Sequence, residues 1–179
     1  MRFSADTARP VAWKNGGGVT RELALHENGG KMIWRLSLAD IAQSGPFSPF
    51  PGLSRIHTVV AGAGHRLTGD GVSLAAQPMQ PLAFDGGLAL DCQLRDGPCR
   101  AFNVIYDPRA TRAQASVLRG GNWVGESGPQ ALFVAAGSLV LDGIGGFACG
   151  EGLVLDSAAR GRVSADGAVI LVGFFPVRD

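Results

Sequence analysis

The chain has 179 residues, with 16 Lys and Arg against 15 Asp and Glu and a formal charge of +1. That balance excludes the clustered basic excess by which proteins collect nucleic acid or anionic membrane, and 46% hydrophobic residues exclude wholesale disorder. Only 17% charged residues, with 27 Gly and 10 Pro, describe short buried strands separated by tight turns, in one large or two small domains.

At the N-terminus Arg2, Asp6 and Arg9 leave no apolar signal-peptide core. No uncharged run approaches the ~20 apolar residues that span a bilayer, so the expectation is a soluble, cytoplasmic protein without membrane partners. Val19 to Leu25 alternates as a strand does, and Met32 to Ala39 reads as a second strand. Gly45 to Gly52 carries Pro46, Pro49 and Pro51, which a central strand would not accept because proline has no N–H to donate. Strand-like runs return at Ile56–Ala61, Pro81–Phe84, Leu88–Leu94 and Ala101–Tyr106, while Leu38 to Gln43 and Ala110 to Val117 read as short helical turns. Cys92, Cys99 and Cys149 form no C-x-x-C, so neither a disulfide framework nor a zinc knot is expected.

Two halves of the chain echo each other. Thr58–Gly62, Pro81–Gly86 and Phe102–Pro108 return as Phe133–Gly137, Gly152–Ser157 and Val172–Pro176, about 70 residues later. A duplicated module with loop deletions would produce that series. Each copy has the strand–turn–strand layout of a small closed barrel, so the sequence predicts an all-β fold of cupin-type (jelly-roll) β-barrels in tandem, a bicupin. The expected units are residues 1–109, with a ligand pocket at the barrel mouth, and a degenerate barrel over 110–179. Residues 110–128 are the expected connector.

His26, His57 and His65 show neither H-x-H nor H-x-x-x-H spacing, so no metal and no cofactor are expected. The run Trp13-Lys14-Asn15-Gly16-Gly17-Gly18 fails the P-loop pattern, because Lys14 precedes the glycines and a strand follows them. It reads either as a hairpin or bulge entering that strand, or as a ligand loop in which Lys14 and Asn15 offer a charge and an amide. Arg21, Arg35, Arg55 and Asn103 interrupt apolar strand runs. A buried Arg must be paired, with Glu22 or Asp40 inside the protein or with a ligand carboxylate held by its planar fork. His57 shares a strand face with Arg55. It is either a satisfied core histidine or an acid/base group working with Glu22 or Asp40, as a metal-independent isomerase or hydrolase would require.

Val11-Ala12-Trp13-Lys14-Asn15-Gly16-Gly17-Gly18-Val19-Thr20-Arg21-Glu22-Leu23 resembles the opening signature of the HutD/Ves family. Trp34 to Ala42, Gly45 to Gly52 with Arg55, Pro81 to Gly86, and Phe102-Asn103 resemble later blocks of the same family. The resemblance implies a bicupin without catalytic metal, a role near histidine utilisation, and a bound pathway metabolite such as formylglutamate or urocanate. It carries Trp13, Lys14, Asn15, Thr20, Glu22, Arg35, Ser37, Arg55, Phe84 and Asn103 over as pocket residues. Two positions depart from the family pattern: His57 replaces a usually apolar residue, and Ala101 replaces a commonly acidic one. The expectation is a small-carboxylate-binding protein, possible as a homodimer, that senses a metabolite or moderates its use. Arg55 and Lys14 would hold the carboxylate, Asn15 and Asn103 would orient polar groups, and Trp13 and Phe84 would wall the pocket.

Overall fold

A computed structural model describes residues 1–125 and 127–177. Every element is a strand; among the described residues there is no helix, and so none long and apolar enough to cross a membrane. In chain order the first are β1 (Arg2–Ser4), β2 (Pro10–Ala12), β3 (Gly18–Asn28), β4 (Lys31–Ile41), β5 (Gly45–Phe47) and β6 (Ser54–Ala61). They are followed by β7 (His65–Gly69), β8 (Val72–Ala76), β9 (Leu82–Asp85), β10 (Leu90–Leu94), β11 (Cys99–Tyr106) and β12 (Thr111–Val124). The last are β13 (Gln130–Ala136), β14 (Ser138–Leu141), β15 (Gly145–Ala148), β16 (Glu151–Leu155) and β17 (Arg160–Pro176). They form two compact units, one of Ala8–Thr111 and one joining Met1–Thr7 to the chain from Arg112 onward.

The first unit holds a six-stranded sheet, β2-β3-β4-β11-β6-β9, and a four-stranded sheet, β5-β10-β7-β8. Side chains of both sheets meet in one core: Ile41, Val59 and Ala101 from the larger, Phe47, Leu67, Leu90 and Cys92 from the smaller. Pro46 is tolerated because β5 is an edge strand bonded only to β10. The helical turn expected over Leu38 to Gln43 is not formed. β4 runs through to Ile41, paired with β3 on one side and β11 on the other, and burial of Leu36, Ser37, Leu38 and Ala39 outweighs local helix propensity.

The second unit is one sheet, β1-β16-β13-β17-β14-β15, with β12 also on β17. The strand β17 bonds β14 through Gly161–Val163 and β13 through Ala168–Gly173, so it turns a corner between the two stretches. A Cβ on Gly167 at that corner would lie 2.7 Å from Ser164 Oγ and 2.8 Å from Val163 Cγ1; glycine lets the corner close. Around it Leu132, Leu139, Leu141, Phe147 and Val169 form the second core. The expected helix over Ala110 to Val117 is replaced by β12, a strand that lies within the segment 110–128 expected as a connector. There Thr111 and Ala113 are buried, and Arg112 and Gln114 exposed, an alternation that a strand satisfies and a helix does not.

The three echoed segments occupy equivalent places. β6 lies between β9 and β11, and β13 lies between β16 and β17. The repeat seen in the sequence is a repeat of strand order.

Candidate functional site

Strand register carries the site. Arg35, Ile105, Arg55 and Phe84 form one cross-strand row through β4, β11, β6 and β9; Ser37, Asn103 and His57 form the next. Antiparallel partners share a face, so both rows look into the first unit's interior. At the open side Trp13 donates its Nε1–H to Thr20 Oγ1 at 2.7 Å. The close fit of Trp13 requires Gly18, where a Cβ would stand 2.4 Å from the Asp40 carbonyl oxygen and 3.1 Å from the indole.

These side chains enclose a small cavity of about 50 Å³, lined by Trp13, Thr20, Arg35, Ser37, Arg55 and Asn103 among others. That is room for a few waters or one carboxylate group. Larger hollows exist. One of about 430 Å³ in the second unit is lined by Trp123, Leu171, Phe174 and Phe175 and by no charged side chain among the described residues. Size alone does not make it an anion site, because no cationic side chain lines it among the described residues.

The electrostatics of the small cavity are unusual. Arg55 is only 6% exposed, and its Nε–H and Nη2–H both donate to Asn103 Oδ1, at 3.0 and 2.8 Å. Its Cζ lies 4.1 Å from the centre of the Phe47 ring, with Phe50 and Phe84 slightly farther away. The Arg35 Nε is buried with no hydrogen-bond partner. No ion pair found among the described residues involves either guanidinium. Burial, and then the nearby Arg35, push Arg55 down to about 9, so it is still a cation at neutral pH. Two cations beside a void, without an acid, are costly to hold.

The internal acids expected to serve them are elsewhere. Asp40 bonds Arg21 and Arg100, each at 2.5 Å; burial raises its pKa, but the two guanidinium groups outweigh that and hold it below the usual carboxylate value. Glu22 is exposed. The expected pairing of His57 with Glu22 or Asp40 is therefore not formed: both ring nitrogens are taken, Nδ1 by Asn103 Oδ1 at 2.7 Å and Nε2 by His65 Nε2 at 3.1 Å.

Of the predicted pocket residues, Trp13, Thr20, Arg35, Ser37, Arg55 and Asn103 come together, and Phe84 supports Arg55 from behind. Lys14 is exposed. Asn15 caps its own loop, its Oδ1 accepting the Gly17 N–H at 3.0 Å and its Nδ2 donating to the Pro46 carbonyl at 3.4 Å. Neither these two nor Glu22 lines the cavity. Phe47, Ser48, Phe50 and Ile105 line it without having been singled out. The signal for the first three was the Phe-Ser-Pro-Phe segment, which the sequence offered as a strand breaker and as part of a family block but not as pocket wall. Among the described residues no three His, Cys, Asp or Glu side chains converge as a metal site would need.

Curled antiparallel sheets and a buried, arginine-lined cavity define a protein of the cupin-type β class. Distant solved structures share the fold alone, among them a bacterial pirin from Escherichia coli in complex with nickel(II), at 11% identity and a TM-score of 0.73 over 99% of both chains. The chain belongs to the HutD family, whose model matches residues 5–172. A 21.2 kDa protein from the hutC 3′ region of Pseudomonas putida is 41% identical over 138 residues, 73% of this chain and 70% of that one. Protein Ves of Escherichia fergusonii is 32% identical over 108 residues, 59% of this chain and 56% of its own. The structure of HutD from Pseudomonas fluorescens SBW25, obtained in a formate condition, superposes with a TM-score of 0.86 at 31% identity over 99% of each chain.

Proposed function

We propose that this protein binds a small carboxylate, without a metal, in the cavity of its first unit, and senses or moderates a metabolite of histidine utilisation. The supporting observation is the buried Arg55 and the half-buried Arg35, whose Nε is itself buried, facing one void with no acid bonded to either among the described residues. A ligand carboxylate supplies the missing charge and can accept from the guanidinium N–H groups that Asn103 leaves unused. The cavity takes the carboxylate head; the rest of formylglutamate or urocanate would extend toward Trp13. The hutC 3′ region that names the Pseudomonas putida relative, and the HutD family itself, support the link to histidine utilisation.

Calorimetric titration with formate, formylglutamate, urocanate and glutamate tests the proposal. At least one is expected to bind, to bind equally well after dialysis against EDTA, and to bind about tenfold or more weakly to Arg35→Met, in line with loss of a charge-assisted contact. Negligible heat with all four ligands, at constant ionic strength, would rule the proposal out.

A further inference from the structure

Behind the cavity runs a line of buried polar groups that carboxylate binding does not itself use. From Asn103 Oδ1 it passes to His57 Nδ1 at 2.7 Å, from His57 Nε2 to His65 Nε2 at 3.1 Å, and from His65 Nδ1 to Cys99 Sγ at 3.3 Å. None of these four residues is more than 5% exposed. His57 lies on β6, His65 on β7, and Asn103 and Cys99 on β11, so the line crosses from one sheet to the other.

Its hydrogen-bond directions are fixed from the Asn103 end. Asn103 Oδ1 accepts two N–H groups of Arg55, and its Nδ2 faces the Ala101 carbonyl at 3.3 Å, so His57 Nδ1 must donate to that oxygen. A neutral His57 then offers a bare Nε2, His65 must donate from its own Nε2, and His65 Nδ1 is left to accept from the Cys99 S–H. The two imidazoles are neutral and of opposite tautomer.

The charged and titratable groups facing the pair come from every surrounding strand. They are Arg55 on β6, Arg35 on β4, and the thiols of Cys92 on β10 and Cys99 on β11, which burial pushes up to about 12 and about 11. From β5 comes only Phe47, its ring 5.5 Å from His57 and 6.1 Å from His65. No hydrogen bond or ion pair found among the described residues joins a carboxylate to either imidazole. Burial first, and then Arg55, hold His57 well below the ordinary histidine value and His65 down to about 4.

We infer that the His57–His65 pair takes up one proton when an anion occupies the cavity beside Arg55, so that anion binding and proton binding are coupled. This rests on the carboxylate-binding proposal and adds its regulation. The anion cancels the guanidinium field that opposes an imidazolium and gives the new charge a counter-ion, where low dielectric makes both effects large. The proton comes from solvent and adds to His65 Nδ1 as the Cys99 S–H turns from donor to acceptor. The Nε2 proton of His65 passes to His57 Nε2, and His57 then donates from both nitrogens, to Asn103 and to His65. One proton enters: N–H bonds form at His65 Nδ1 and His57 Nε2, the His65 Nε2–H bond breaks, and no other covalent bond changes. Neither imidazole lines the cavity; His57 reaches it through Asn103, and His65 is a positioning residue that lets His57 become charged.

The test uses the full chain with ¹⁵N-labelled histidine and arginine, observed by NMR at about neutral pH with and without sodium formate, against a sodium chloride control. Without formate the Nδ1–H form of His57 and the Nε2–H form of His65 are expected; with saturating formate, one imidazolium shared by the pair. Formate affinity is expected to weaken by up to about tenfold for each unit rise in pH once the bound pair begins to lose its proton, and His65→Gln to flatten that dependence. Two neutral imidazoles while the Arg55 Nε–H signal reports bound formate would overturn the coupling and leave the carboxylate site intact. No shift at Arg55 with formate, formylglutamate, urocanate or glutamate would overturn the site, and the coupling with it.

Discussion

Replacing Arg55 with Met is expected to abolish formate binding while raising the melting temperature. The two effects have one cause. Losing a desolvated charge partner costs about 2–5 kcal/mol of binding, read in calorimetry as heats indistinguishable from dilution. In the empty protein the same guanidinium is buried with only an amide oxygen accepting from it; replacing a buried ion pair by well-packed apolar groups is often neutral or stabilising by about 1–4 kcal/mol, and an uncompensated cation is expected to gain on the same scale. The sign with pH is definite. Burial brings the folded-state pKa down to about 9 from the ordinary arginine value, so the destabilisation is fully present below about pH 9. It fades between the two values, where the unfolded chain still holds a proton that the folded chain has released. The gain from Arg55→Met is therefore largest at neutral pH. A variant that is less stable than the parent and still binds formate would contradict both halves.

Leu139→Ala should give the opposite profile. Leu139 is fully buried in the second unit among Leu132, Leu141, Phe147 and Val163, and truncating such a leucine costs about 2–5 kcal/mol through lost burial and the cavity left behind. Urea unfolding measures that loss. Formate affinity of the folded variant is expected to match that of the parent, because every residue lining the small cavity lies between Trp13 and Ile105 in the first unit. A large change in affinity would show that the second core helps to shape the site.

Much of this was legible in the sequence, for identifiable reasons. The strands over Ile56–Ala61 and Ala101–Tyr106 have apolar runs bounded by turn residues, and the echo of Thr58–Gly62 in Phe133–Gly137 marks strands that hold equivalent positions in their sheets. β12 was not legible. Thr111, Ala113 and Ala115 do alternate with Arg112, Gln114 and Ser116, but Ala, Gln and Arg favour helices locally, and strand pairing with β17 decides the matter. At the site, Arg35, Arg55 and Asn103 stood out as polar residues inside apolar runs, but they lie on three strands, and only the register between those strands puts them on one face. Lys14 and Asn15 were drawn in by proximity to the glycines, although the loop uses Asn15 to satisfy its own backbone. His65 carried no signal at all, because its partners His57 and Cys99 meet it only when the two sheets face each other.

Asn103→Asp puts an acid where the cavity lacks one, without changing its volume. The new carboxylate would accept the same Arg55 and His57 hydrogens that Asn103 Oδ1 now receives, so the guanidinium would be neutralised from within. The measurement is formate affinity of this variant beside the parent, at equal pH and ionic strength. If uncompensated buried positive charge is what recognises the ligand, formate binding disappears and thermal stability rises. If the variant binds formate as tightly as the parent does, shape and not charge holds the ligand, and the role assigned to Arg55 and Arg35 is wrong.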